Sequence, residues 1–78
     1  MNKISVLGGG AWGTALAAML AAKHAGVHLW ARNPDIAAEI NQSHTNRTYL
    51  GNIKLSPALT ATDNLALACK AETILCVT

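Results

Sequence analysis

Three glycines at fixed spacing, Gly8, Gly10 and Gly13, sit inside an uncharged run from Ile4 to Ala22 and limit what that run can become. A run of this length could cross a membrane or form the apolar centre of a leader peptide. Each glycine inside a helix costs about 1 kcal/mol relative to alanine, and Gly8, Gly9, Gly10 and Gly13 all fall in the middle. A dense leucine core is missing as well. The run is therefore read as three pieces: a strand, a tight turn and a helix.

Lys3-Ile4-Ser5-Val6-Leu7 is short, β-branched and stopped by glycine, which predicts a strand covered on both faces. Residues 11–24 follow with Ala, Leu and Met at helical spacing, and Gly26 is the natural stop. Ala15, Ala18, Met19 and Ala22 share one face and are the expected contact with the sheet. Val27-His28-Leu29-Trp30-Ala31 reads as the second strand, with Trp30 in the core. The glycines have separate tasks in such a unit. Gly8 turns the chain off the strand, Gly10 leaves room for a pyrophosphate, and Gly13 lets the helix press on the strand. Backbone N–H groups at the helix start then face the phosphate, aided by the positive end of the helix dipole. Glycine-rich turns also occur without a ligand. Here the strand before, the helix after and the second strand complete a unit of about 30 residues, which favours dinucleotide binding. No Walker-type lysine follows, so nothing supports a P-loop NTPase.

Beyond Trp30, Asn33-Pro34-Asp35 opens a second helix with an N-cap, proline at the first position and an acid in the first turn. Ile36 and Ile40 form its apolar stripe, and Glu39 faces outward. Gln42–Leu55 is polar and reads as a long surface loop. Leu59–Thr62 predicts a short third strand, Asp63 a cap for a third helix with Leu65, Ala68 and Cys69 inward, and Thr73–Val77 a further buried strand. Strands alternating with helices predict an α/β chain of the Rossmann-like kind, a parallel sheet with helices on both faces. The expected domain is 1–78, the first half of a doubly wound dinucleotide-binding domain, incomplete because nothing follows the last strand to cover one edge and part of one face.

Composition narrows the partners. The chain is 51% hydrophobic and 13% charged, so it is not a disordered charged tail. Six Lys and Arg against four Asp and Glu give a net charge of +2 with no basic run, which disfavours nucleic acid and acidic membrane surfaces. Cys69 and Cys76 have no metal-ligand spacing and are read as reduced packing residues of a cytoplasmic chain. His24, His28 and His44 form no pair with a nearby Cys or acid, so no metal site and no catalytic base are expected. Homodimerisation across the open sheet edge is left undecided.

The end of the second strand bears on which dinucleotide is held. An acid there usually accepts the ribose hydroxyls of NAD; this chain has Arg32, then Asn33. A guanidinium makes paired, charge-assisted bonds to a 2′-phosphate, so NADP is favoured over NAD. The same arginine could stack on adenine or cap a surface. Trp12 either packs beneath the glycine turn or leans over the cofactor.

The runs Val6-Leu7-Gly8-Gly9-Gly10-Ala11-Trp12-Gly13-Thr14-Ala15-Leu16-Ala17 and Leu29-Trp30-Ala31-Arg32, with Asn46-Arg47-Thr48-Tyr49-Leu50, Ala61-Thr62-Asp63-Asn64-Leu65 and Ile74-Leu75-Cys76-Val77, resemble the amino terminus of bacterial-type NAD(P)-dependent sn-glycerol-3-phosphate dehydrogenases. The resemblance implies an enzyme that interconverts dihydroxyacetone phosphate and glycerol 3-phosphate for phospholipid synthesis. It implies that Ala11, Trp12 and Arg32, with Asn33 and Tyr49, match positions that contact the cofactor. Ala11 stands where the family often has Ser, and Gly51 where it often has Pro. The family's catalytic lysine and helical substrate domain fall beyond residue 78, so no catalytic residue is nominated and the chain alone is expected to be inactive. Rival readings are a ketopantoate- or opine-type reductase, a non-catalytic module that senses nicotinamide nucleotides, and a plain structural domain.

Overall fold

The computed structural model describes residues 3–8, 10–24, 26–51 and 53–77. In chain order the elements are β1 (Ile4–Leu7), α1 (Ala11–Lys23), β2 (Val27–Trp30), α2 (Pro34–Ser43), α3 (Arg47–Leu50), β3 (Thr60–Thr62), α4 (Leu65–Ala68) and β4 (Thr73–Cys76). Among the described residues the strands form one four-stranded sheet in the order β3-β2-β1-β4, and every pairing is parallel. This is the Rossmann-like α/β arrangement that the alternation of strands and helices predicts.

Strand alternation sends neighbouring residues to opposite faces. Val6, Leu29 and Ala61 lie side by side in the register and are all buried, and they share a core with Ala17 and Ala21 of α1 and Ile36, Ala37 and Ile40 of α2. The adjacent row, Ser5, His28 and Thr60, is polar and lies on the other face. There the Ser5 hydroxyl, 1% exposed, donates to the Ala68 carbonyl at 2.7 Å and ties α4 to β1. Thr60 Oγ1 lies 2.6 Å from His28 Nδ1 in the same row. Helices thus cover both faces.

The face that α1 turns to the sheet differs from the expected one. Gly13, Thr14, Ala17 and Ala21 are buried, whereas Ala15 and Ala22 are exposed and Met19 is 68% exposed. The helix is apolar nearly all round, so hydrophobic periodicity could not select a face. Close approach does. A Cβ on Gly13 would overlap the Gly8 carbonyl oxygen, so Gly13 marks the point of contact, and Ala17 and Ala21 follow it at helical spacing.

The segment read as a surface loop is largely structured. α2 continues through Ser43 and ends on His44 in the left-handed region, φ 56°. Thr45 and Asn46 are buried, α3 follows, and the Thr45–Lys54 bridge with Leu55 N–H donating to the His44 carbonyl at 2.7 Å folds the segment back. On α2, the Asn41 side chain accepts from the Ala61 N–H and donates to the Ala61 carbonyl, each at 2.8 Å, as a neighbouring strand would.

Several smaller expectations also need correction. α4 is capped by Asn64, whose side chain accepts from the Leu67 N–H at 3.2 Å, and not by Asp63. Ala68 is buried, but Leu65 is 45% exposed and Cys69 is exposed, because a one-turn helix can bury only one narrow face. β4 is mostly exposed, Cys76 included, since among the described residues the helices pack over β1, β2 and β3 rather than over it. Trp30 is half-buried at the sheet's end, where its indole N–H reaches the Asp63 carbonyl at 3.0 Å. Among the described residues no helix is long and apolar enough to cross a membrane.

Candidate dinucleotide site

The glycine turn follows the C-terminal end of β1, the end where open parallel sheets receive ligands. Gly8 has φ 134°, which favours glycine, and a Cβ there would overlap the Val77 carbonyl oxygen. Its N–H donates to the Trp30 carbonyl at 3.1 Å, tying the turn to the end of β2. Gly10 is the N-cap of α1 with extended backbone and no side-chain cap, and no acid occupies the first turn. A Cβ on Gly10 would meet no atom within 4 Å, so open space lies above the start of the helix. The Thr14 N–H returns to the Gly10 carbonyl at 2.9 Å. The tasks assigned to Gly8, Gly10 and Gly13 thus have distinct steric counterparts: a turn, an opening and a close contact.

Gly10, Ala31, Arg32, Asn33, Ile36 and Tyr49 line one cleft of about 220 Å³ beside this turn. Four of the sequence-nominated residues, Gly10, Arg32, Asn33 and Tyr49, therefore meet there. Gly8 and Gly13 shape the backbone beside it. Ala11 and Trp12 stand at the helix start, exposed and outside the lining; Trp12 is 83% exposed, so it does not pack beneath the turn. Arg32 is exposed, and among the described residues no carboxylate pairs with it. The Asn33 side-chain oxygen is committed to α2, accepting from the Asp35 N–H at 2.8 Å, which leaves its amide N–H groups for the cleft.

Tyr49 reaches the cleft because α3 is held from two sides. The buried Asn46 side chain donates to Thr14 Oγ1 at 2.9 Å, joining α3 to α1. From α2, Glu39 Oε2 accepts from Thr45 Oγ1 at 2.6 Å and from the Arg47 N–H at 2.9 Å. The Thr45 hydroxyl first, then the Arg47 N–H and the Arg47 charge, hold the Glu39 carboxyl below the usual carboxylate range. Glu39 is thus not a plain outward charge. Sequence reasoning missed its role, along with Ala31 and Ile36 in the lining, because a carboxylate closing a loop across eight residues has no periodic signature. A second cleft, about 440 Å³, lies on the α4 face among Lys3, Ser5, His28, Thr60 and Lys70. It is larger but lies away from the glycine turn.

A parallel sheet of this order, with a three-glycine turn after its first strand and a cation at the end of its second, defines the class of Rossmann-like nucleotide-binding domains. Comparison with known proteins narrows the class. The chain belongs to the NAD-dependent glycerol-3-phosphate dehydrogenase N-terminus family, whose model matches residues 3–78. It is 56% identical over 68 residues to a glycerol-3-phosphate dehydrogenase (NAD(P)+) of Leuconostoc mesenteroides, covering 87% of this chain and 20% of that protein. It is 52% identical over 79 residues to that of Paramagnetospirillum magneticum, covering 99% and 28%. The glycerol-3-phosphate dehydrogenase structure from Coxiella burnetii superposes with a TM-score of 0.85 at 37% identity, over 99% of this chain and 24% of that one. The Plasmodium falciparum enzyme superposes with a TM-score of 0.86 at 25% identity, over 97% and 24%. The chain therefore spans between 20% and 28% of the length of these relatives. These relatives do not favour the ketopantoate, opine or sensing-module readings.

Proposed function

We propose that this chain is the cofactor-binding portion of an NAD(P)-dependent glycerol-3-phosphate dehydrogenase, contributing the amino-terminal part of the dinucleotide domain. The parent enzyme reduces dihydroxyacetone phosphate to sn-glycerol 3-phosphate, a precursor of glycerophospholipids, in the cytoplasm. The observation that carries the reading is the cleft where Gly10, Arg32, Asn33 and Tyr49 meet beside the start of α1.

The residues present fit a dinucleotide. Gly10 offers unobstructed backbone, and the uncapped N–H groups that open α1 suit a pyrophosphate. Arg32, unpaired with any carboxylate among the described residues, suits the 2′-phosphate of NADP, which favours NADP over NAD. Asn33 offers amide donors at the same rim, and Tyr49 and Ile36 offer apolar walls. Ala11 contributes its backbone N–H, and Trp12 stands free to close over a bound ligand. When bound, the cofactor supplies a hydride to the C2 carbonyl carbon of the triose. No side chain of the cleft is assigned a proton transfer.

The test is a titration of the chain with NADPH and NADH, followed by tryptophan quenching and circular dichroism. Saturable binding with NADPH tighter is expected. A folded spectrum with neither nucleotide bound, by the chain and by the full-length parent alike, would defeat the reading.

A further inference from the structure

The cleft has one wall that does not belong to the sheet or to the glycine turn. Tyr49 is on α3, a single helical turn that cannot hold itself in place, since one turn fixes several dihedral angles for very few hydrogen bonds. Its own bonds are modest: the Tyr49 and Leu50 N–H groups donate to the Asn46 carbonyl at 3.3 and 2.8 Å. What fixes it is a pair of attachments to the two helices that flank the cleft. Asn46 reaches Thr14 on α1, and Glu39 on α2 holds both Thr45 and the Arg47 N–H through one carboxylate oxygen. The two attachments differ in kind. Asn46 and Thr14 are fully buried and belong to the packing of the domain, whereas Glu39 is partly exposed, carries charge and sits on the second turn of α2, clear of the cleft lining.

We infer that Glu39 is a positioning residue for the dinucleotide cleft: its carboxylate, bonded to Thr45 and the Arg47 N–H, sets where α3 presents Tyr49 to the cleft that Gly10 and Arg32 also line. This rests on the dinucleotide reading of the cleft. Glu39 does not touch the ligand and acts through Tyr49. A charged acceptor serves here because hydrogen bonds to an ionised group are about twice as strong as neutral ones, enough for a one-turn element with no cap of its own. Losing it leaves the sheet, the glycine turn and Arg32 in place but frees one wall of the site.

The test uses Glu39→Ala, Glu39→Gln, Thr45→Val and Tyr49→Ala in the full-length parent, with two readouts. The first, without ligand, is amide hydrogen exchange. Glu39→Ala, which removes both charged hydrogen bonds of the carboxylate, is expected to speed exchange at Tyr49 and Leu50 by about tenfold, with Gly8, Thr14 and Ala31 changed less than about twofold. Thr45→Val should give a smaller increase, and Glu39→Gln, which keeps an acceptor oxygen, a partial rescue. The second readout is NADPH affinity. Glu39→Ala should weaken binding about fivefold to tenfold, and the same change made on top of Tyr49→Ala should add little, since the two act along one line. Unchanged exchange at Tyr49 and Leu50 overturns the positioning role while leaving the functional reading intact. Faster exchange with unaltered NADPH affinity also overturns it, as does a full additional loss in the Tyr49→Ala background. Absence of NADPH binding by the unsubstituted full-length parent overturns the dinucleotide reading, and the positioning role with it.

Discussion

Gly13→Ala should destabilise the chain even though it replaces a helical glycine with the best helix former. In open surroundings the exchange would gain about 1 kcal/mol of helix propensity. At Gly13 the new methyl overlaps the Gly8 carbonyl oxygen, and the obstacle is backbone that no side-chain rotation can clear. Relief requires α1 to lift from β1, which loosens Ala17 and Ala21 against Val6 and Leu29. Overpacking of this kind costs about 1–3 kcal/mol, and a rigid obstacle belongs at the upper end, so the net loss is about 2 kcal/mol. For a domain of this size that lowers the thermal midpoint by about 8–16 °C. Gly10→Ala is the matched control. Its methyl would meet nothing within 4 Å, so stability should stay within about 0.5 kcal/mol of the parent. The same methyl projects where a phosphate must approach the backbone, and NADPH binding should weaken about tenfold or more. Thermal and urea unfolding by circular dichroism, with NADPH titration, separate the two effects. A Gly13→Ala chain that melts at or above the parent temperature would refute the close-contact role of Gly13.

Arg32→Glu should weaken NADPH far more than NADH in parallel titrations, because at the proposed site it would set a carboxylate against the 2′-phosphate; equal losses would remove Arg32 from that role. Asn41→Ala should lower the unfolding free energy by about 1–2 kcal/mol, since it strips two hydrogen bonds from Ala61, and urea denaturation would read it. Ser5→Ala should cost about 1–2 kcal/mol in the same assay by leaving the Ala68 carbonyl without its buried donor. Glu39 has a depressed pKa in the folded chain, so the stability it contributes is present above the ordinary carboxylate value and is lost as pH falls through the depressed one. A pH series of urea midpoints should therefore show a shallower acid loss for Glu39→Gln than for the parent, and identical slopes would deny Glu39 that contribution.

The sheet was legible in the sequence because its signals are local. A β-branched run stopped by glycine, an Asn-Pro-Asp helix start and a second strand followed closely by Arg32 each depend on a few adjacent residues. The cleft lining at Gly10, Arg32 and Asn33 was readable for the same reason. Tyr49 entered by resemblance, since its place in the cleft depends on contacts 32 residues apart, Asn46 to Thr14, that no periodicity announces. The contact face of α1 was misread because Ala, Leu and Met surround the helix and only the steric demand at Gly13 distinguishes one side. Cys69 and Cys76 were expected inside because their neighbours are apolar, yet burial is decided by what lies above a strand or helix.

The side chain of Asn41 also decides where the sheet stops on the β3 side. By occupying both backbone groups of Ala61 it does there what a further strand would do, so an extended segment from elsewhere finds neither an unpaired N–H nor an unpaired carbonyl at Ala61. One amide thus closes a rim that would otherwise need another strand to close it.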